Sequence, residues 1–222
     1  MKKAVVLLSG GLDSAVTFYI AKKDYECHAL VFDYGQRSAC EITFAERIAS
    51  AASSACQVLK ISLPWKGSVL LDKTADVPSG AISASGEIPS TYVPARNLIF
   101  MSFAVSFAEA IGAEAVFIGA HQLDFSNYPD CREDFFESFK ETVRTGTKSG
   151  AEGHAVRVIT PVLDMTKNEI IRTGIELGVP FQYTWSCYEG GKFPCGKCES
   201  CLLRAKGFAD AGKIDPFENT GE

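Results

Sequence analysis

Two clusters in this chain have residue types and spacings that could do chemistry. The first is Leu8, Ser9, Gly10, Gly11, Leu12, Asp13 and Ser14, at the end of the apolar run Ala4 to Leu8. Two glycines between a strand and a helix allow a tight turn that points several N–H groups at one centre. The helix dipole also favours an anion there. The hydroxyls of Ser9 and Ser14 add donors, so the natural guest is a phosphate. Asp13 would repel it unless a divalent cation joins them, which makes Asp13 the expected Mg²⁺ partner. The pattern is neither G-x-x-x-x-G-K-[ST] nor G-x-G-x-x-G.

The second cluster is Cys187, Cys195, Cys198 and Cys201, a C-x₇-C-x₂-C-x₂-C array. Two-residue gaps let neighbouring thiolates turn to one ion, and the longer gap closes a tetrahedron. Four sulfurs suit a closed structural Zn²⁺ site. An iron–sulfur cluster and a redox Cys-x-x-Cys pair are the competing readings. Lys192, Lys197 and Arg204 are the nearby cations that could offset the thiolate charge. Cys27, Cys40 and Cys56 read as small hydrophobes.

Polar loops supply further candidates. In FDYGQRS, Tyr34 and Gln36 are placed to meet a base or ribose. In VPARN, Arg96 and Asn97 open a helix. Arg is unfavourable at that end of the dipole, which asks for an anionic ligand or a carboxylate partner. In GAHQLDFSNYPDCRED, Asp124 or Asp130 could face the N–H groups of a purine-like edge, and Arg132 a substrate carboxylate. Ser126 and Tyr128 belong to the same loop, whereas His121 alone reads as an ordinary polar residue. In TPVLDMTKNEI, Thr166 and Glu169 form a capping box. Lys167, without a capping role, could reach a phosphate.

Short apolar runs alternate with helical patterns to position these groups. Strands are expected at Ala4–Leu8, Ala29–Asp33, Gln57–Ile61, Ala115–Ile118 and Val156–Ile159. Helices are expected at Asp13–Lys22, Ala39–Ala52, Ala95–Ile111, Arg132–Thr145 and Lys167–Leu177. The alternation predicts an α/β fold, a parallel sheet with helices on both faces. Ligands bind such sheets beyond the carboxyl ends of the strands, where these loops gather. Lys66 to Val93 lacks periodicity and reads as a long loop, with Glu87 to Tyr92 as a lid. Tyr183 to Cys201 has little to pack and would need metal for order. Residues 1–182 are thus expected to form a nucleotide-binding and catalytic domain, and 183–222 a small zinc-binding lobe.

Lys and Arg number 22 against 27 Asp and Glu, and no basic face is evident, which argues against direct nucleic-acid binding. No stretch reaches the roughly 18 apolar residues of a membrane span. The opening apolar run stops at Leu8, short of a signal peptide, so a cytoplasmic protein is expected.

SGGLDS, directly after the first strand, resembles the SGGxDS signature of the ATP pyrophosphatase (PP-loop) superfamily. With FDYGQR, VPARN, the SxYPDCR loop from Ser126 to Arg132, TPxxDMTK and the four cysteines, the chain resembles the 7-cyano-7-deazaguanine synthase family almost end to end. The resemblance implies a Rossmann-like adenine nucleotide alpha-hydrolase fold. It also implies 7-carboxy-7-deazaguanine, ammonia and ATP as substrates in queuosine biosynthesis. Ser9, Gly10, Gly11 and Ser14 would hold the leaving pyrophosphate, Asp13 its Mg²⁺, and Lys167 would stabilise charge at the phosphates. The Ser126–Arg132 loop would recognise the deazapurine. A homodimer is expected. With Met1-Lys2 at the start and three histidines, the chain offers no glutaminase site, so ammonia arrives free or from a donor protein. A tRNA thiolase or lysidine-type ligase of the same superfamily is the rival reading, disfavoured by the charge. A non-enzymatic zinc module with a nucleotide sensor is the other.

Overall fold

The computed structural model describes residues 1–80, 87–121 and 128–217. Asp124 and Ser126, expected to meet substrate, lie outside these residues. Five strands, β1 (Lys2–Leu7), β2 (Tyr25–Asp33), β3 (Ala55–Lys60), β4 (Ala115–Phe117) and β5 (Arg157–Ile159), form one sheet in the order β3-β2-β1-β4-β5. Every neighbouring pair is parallel. The chain winds outward from β1 to β3, then returns to build β4 and β5 on the other side. The strand order therefore reverses between β1 and β4. That is where a crevice opens at the carboxyl ends of such a sheet.

The helices are α1 (Leu12–Ala21), α2 (Cys40–Ala51), α3 (Arg96–Ile111), α4 (Glu133–Gly146), α5 (Lys148–Ala151), α6 (Lys167–Glu176) and α7 (Glu199–Asp210). They cover both faces, as the alternation predicted. Successive residues of β1 point to opposite sides. Ala4, Val6 and Leu8 join Phe18 of α1, Ile48 of α2, Ile171 of α6 and Phe208 of α7. Val5 and Leu7 join Met101 of α3 with Phe136 and Phe139 of α4. Burial on both sides is why this strand is continuously apolar. The strand β3, by contrast, lies at the edge and is largely exposed, with Gln57 and Lys60 in its sequence.

Two expectations need correction. Strands β1 and β2 begin earlier than their apolar runs, at Lys2 and Tyr25, because these two residues pair in register across the parallel ladder. The segment expected to lack packing has a core of its own. Trp185 is buried with Val77, Cys187, Cys198 and Cys201, and Phe44, Tyr188 and Phe217 pack around them. Helix α7 continues directly out of the cysteine array, with Cys198 as its N-cap and Cys201 in its first turn. Arg204 of α7 does not serve the thiolates. It is buried against Asp215, with Nη2 donating to Oδ1 at 2.8 Å, and its Nη1 donates to Thr184 Oγ1 at 2.8 Å. Among the described residues no helix is long and apolar enough to cross a membrane.

Candidate active site

The glycine loop sits at the reversal point, and its shape follows from two close approaches. Gly10 has φ +84°, and a Cβ there would lie 2.2 Å from the Glu41 carbonyl oxygen in the first turn of α2. Only glycine satisfies both the backbone angle and the contact. Gly119, leaving β4, makes the second: a Cβ would stand 2.8 Å from the backbone of Ser14. Within the loop, Ser14 Oγ accepts from the Ser9 N–H at 3.1 Å and donates to the Gly11 carbonyl at 2.9 Å. The two serine hydroxyls are 3.0 Å apart. The loop is also held from the segment before the cysteine array, because the Trp185 N–H donates to the Gly10 carbonyl at 2.8 Å.

Lys167 reaches this loop from the start of α6. Thr166 caps that helix through the expected box, its N–H donating to Glu169 Oε2 at 2.8 Å while its hydroxyl accepts from the Glu169 N–H. The cap fixes the first turn and aims the Lys167 side chain inward. Its Nζ donates to Asp13 Oδ1 at 2.8 Å and Oδ2 at 2.9 Å, and lies 2.8 Å from His121 Nε2. Burial opposes ionisation of Asp13, but Lys167 and His121 outweigh it and hold the carboxyl well below the usual carboxylate range. The Lys167 stem is in turn braced by α7. A Cβ on Gly207 would lie 2.5 Å from Lys167 Cγ.

These elements enclose a cavity of about 300 Å³ that Leu8, Ser9, Gly11, Leu12, Asp13, Ser14 and Lys167 line on one side. Tyr34, Arg96, Asn97, Phe100, Tyr128, Trp185, Tyr188 and Glu199 line the rest. Arg96 Nη1 donates to the Tyr34 hydroxyl at 3.4 Å, and Tyr128 shares a 2.7 Å hydrogen bond with Thr91. Helix α3 enters the cavity through Ala95, which adopts φ +53°, an uncommon backbone for a residue with a side chain.

Three expected contacts are engaged elsewhere. The Gln36 side chain closes its own turn, accepting from the Tyr34 N–H at 2.9 Å and donating to the Phe32 carbonyl at 3.1 Å. Asp130 is buried, and its Oδ2 accepts the Asn97 N–H at 2.9 Å, so it caps α3. Arg132 is exposed as the N-cap of α4 and is not among the residues lining the cavity.

His121, Glu41, Tyr188 and Glu199 are among the cavity residues that sequence reasoning missed. His121 offered only its position after a strand, the same signal as its loop neighbours. Glu41 looked like any acidic residue at a helix start. Burial pushes its carboxyl up to about 7, against the opposing pull of Arg96 and of a hydrogen bond with Gln36.

The four cysteines converge. Their sulfurs all lie within 4.8 Å of one another, with Cys195 and Cys201 4.0 Å apart. The backbone N–H of Cys195 points at Cys187 Sγ, and that of Cys198 at Cys195 Sγ, each at 3.3 Å. Such donors stabilise thiolates, so the group could hold a metal ion.

A glycine-rich loop, an inward lysine and an ionised aspartate at the reversal point of a parallel sheet define an α/β protein with a site suited to a phosphate. Residues 3–212 match the family described as "Queuosine biosynthesis protein QueC", and the chain belongs to that family. It is 50% identical over 220 residues to the 7-cyano-7-deazaguanine synthase of Nostoc punctiforme, covering 97% of this chain and 98% of the relative. It is 47% identical over 226 residues to the synthase of the same name from Clostridium kluyveri, covering 100% of both. Among solved structures, the NMN synthetase of Francisella tularensis is similar with a TM-score of 0.49 and 15% identity, over 96% of this chain and 78% of that one. The chain is an enzyme of queuosine biosynthesis.

Proposed function

We propose that the chain converts 7-carboxy-7-deazaguanine, ammonia and ATP into 7-cyano-7-deazaguanine through an adenylated acid and an adenylated amide. The observation that carries this reading is the convergence of the phosphate-sized loop, Lys167 and an aromatic-lined cavity in a chain with full-length relatives of that name. The substrate carboxylate attacks the α-phosphorus of ATP and pyrophosphate leaves. Ammonia then displaces AMP to give the amide. The amide oxygen is activated in the same way, and loss of AMP with two protons leaves the nitrile.

The N–H groups and hydroxyls of Ser9 to Ser14 receive the pyrophosphate, and Lys167 stabilises the charge that develops on it. Asp13 lines the cavity and is held ionised, which fits the single carboxylate that Mg²⁺ needs beside substrate phosphates. That ion would neutralise phosphate charge. The deazapurine lies among Tyr34, Arg96 and Tyr128, the last contributed by the Ser126–Arg132 loop.

The four thiolates hold Zn²⁺. Tetrahedral Zn–S bonds of about 2.3 Å put sulfurs about 3.8 Å apart, near the spacing of the cluster. With every position filled by sulfur, the ion is structural, and it organises residues 183–222 against the catalytic unit 1–182. The exposed Leu98 and Phe103 on the outer face of α3 support a homodimer in which a second copy covers them. We place this enzyme in the cytoplasm.

The test is direct. Purified protein incubated with ATP, Mg²⁺, ammonium and 7-carboxy-7-deazaguanine is followed by mass spectrometry of the small molecules. Replacement of the carboxyl mass by that of a nitrile is the expected result. Acid recovered untouched from fully metallated protein would refute the reading.

A further inference from the structure

The nitrogen must lose four protons between ammonium and nitrile, so the site needs a group that accepts them. We propose that Glu41, with Arg96 beside it, forms the ammonia subsite and is the base that takes the proton from ammonium. This assignment rests on the reaction proposed above.

Among the described residues, three carboxylates line the cavity: Asp13, Glu41 and Glu199. Asp13 is doubly bonded to Lys167 and held ionised, so it is a weak base. Glu199 stands on the wall made by α7. Glu41 is fixed against the nucleotide loop, because its own carbonyl occupies the space that Gly10 leaves. It lines the same cavity as Ser9, Asp13, Ser14 and Arg96, within reach of a substrate held there.

Its surroundings push a proton from nitrogen to oxygen in two ways. Burial raises the affinity of the Glu41 carboxyl for a proton, to a value of about 7. Arg96, charged and in Coulombic contact with Glu41, disfavours a second cation next to it and so acidifies a bound ammonium. The other titratable groups facing Glu41 are Tyr34 from the end of β2 and Cys40 on its own helix. Both are pushed upward mainly by burial and stay neutral at pH 7. Arg96 is thus the permanent charge in the set. A base with a pKa near the working pH suits general catalysis.

The steps balance. Glu41 carboxylate removes a proton from ammonium, leaving neutral ammonia and the protonated acid. The ammonia lone pair forms the C–N bond, the C–O bond to AMP breaks, and the amide nitrogen sheds a second proton. Glu41 returns each proton to solvent. After the amide oxygen is adenylated, two more protons leave nitrogen as AMP departs.

The experiment compares wild type with Glu41→Gln, which keeps the shape and removes the base. Acid-dependent exchange of label between pyrophosphate and ATP reports adenylation and needs no ammonia. Nitrile formation needs both halves. In E41Q the exchange is expected to stay within about threefold of wild type, while nitrile formation at pH 7 falls roughly 100-fold or more. In wild type, nitrile formation at fixed ammonium concentration is expected to rise with pH and level off above about 7, although free ammonia goes on rising tenfold per pH unit. Exchange and nitrile formation falling together would overturn the assignment by placing Glu41 at the nucleotide. Nitrile formation unchanged in E41Q, or a wild-type rate that keeps rising in step with free ammonia above pH 7, would also overturn it. The profile needs no variant, so it decides the matter even if E41Q does not fold. Wild type without acid-dependent exchange would instead remove the reaction reading, and this assignment with it.

Discussion

Gly207→Ala is the sharpest probe of how the metal lobe supports the nucleotide loop. The new methyl would stand 2.5 Å from Lys167 Cγ and 2.9 Å from Ile171 Cδ1, where ordinary contact begins at 3.4 Å. Relief requires α7 or the lysine stem to move by about 0.9 Å. Overpacking of this kind costs about 1–3 kcal/mol, and replacing glycine inside a helix returns about 1 kcal/mol. The expected stability loss is therefore small, about 0–2 kcal/mol. Activity should suffer more. Moving the ammonium from 2.8 Å to about 3.7 Å from the Asp13 carboxylate weakens their attraction by roughly 1.4 kcal/mol at an effective dielectric of about 20. A similar loss toward a phosphate is close to tenfold in rate. The assay is steady-state nitrile formation, with metal content and the thermal transition measured on the same samples. Gly146→Ala is the control, since a Cβ there meets nothing within 4 Å. If G207A turned over like wild type and were no less stable than G146A, the bracing of Lys167 by α7 would be wrong.

Lys167→Met keeps the stem and removes the charge, and should lower kcat about 100- to 1,000-fold while leaving metal content intact. Asp215→Asn strips the buried Arg204 of its counter-charge and should cost about 3–5 kcal/mol in urea unfolding. Asp13 and Glu41 give opposite pH dependences. Asp13 is depressed, so its stabilisation is present above its unfolded value and fades as pH falls through the carboxylate range; D13N and wild type should converge in acid. Glu41 is raised, so stability is lost as pH rises from its unfolded value of 4.5 to about 7, and the loss is complete above that; E41Q should be the more stable protein at pH 8, with the gap closing near pH 4. Thiol-reactive release of the metal should liberate zinc, lower the thermal transition and weaken ATP binding, because Trp185 then no longer secures Gly10.

The sheet was legible because β1, β2, β4 and β5 are built on short apolar runs and the helices between them carry periodic apolar faces. Position in that sheet then located the site. The strand ends brought Leu8 to Ser14, Tyr34, Arg96 and Lys167 around one cavity, as their loops suggested. What escaped was anything that depends on a partner distant in sequence. Asp130 looked like a ligand group, but a buried carboxylate under the unsatisfied N–H groups of α3 is better used as a cap. Arg204 looked like an offset for thiolates until Asp215 was found against it. Helix α7 was hidden because it begins inside the cysteine motif, where cysteine spacing masks helical periodicity. Gly10 was marked by its motif, whereas Gly119 and Gly207 matter only through the backbone or lysine that takes the space beside them.

The hydrogen bond from Trp185 to Gly10 also has a meaning in time. During translation the glycine loop leaves the ribosome long before Trp185 and Gly207. The sheet can assemble once β5 has emerged, yet the loop at its first turn still lacks its outer tether, and Lys167 still lacks the helix behind it. A nascent chain therefore carries the glycine loop before the groups that complete its surroundings. The site is finished only when the cysteine-bearing segment has been made and folded back onto that loop.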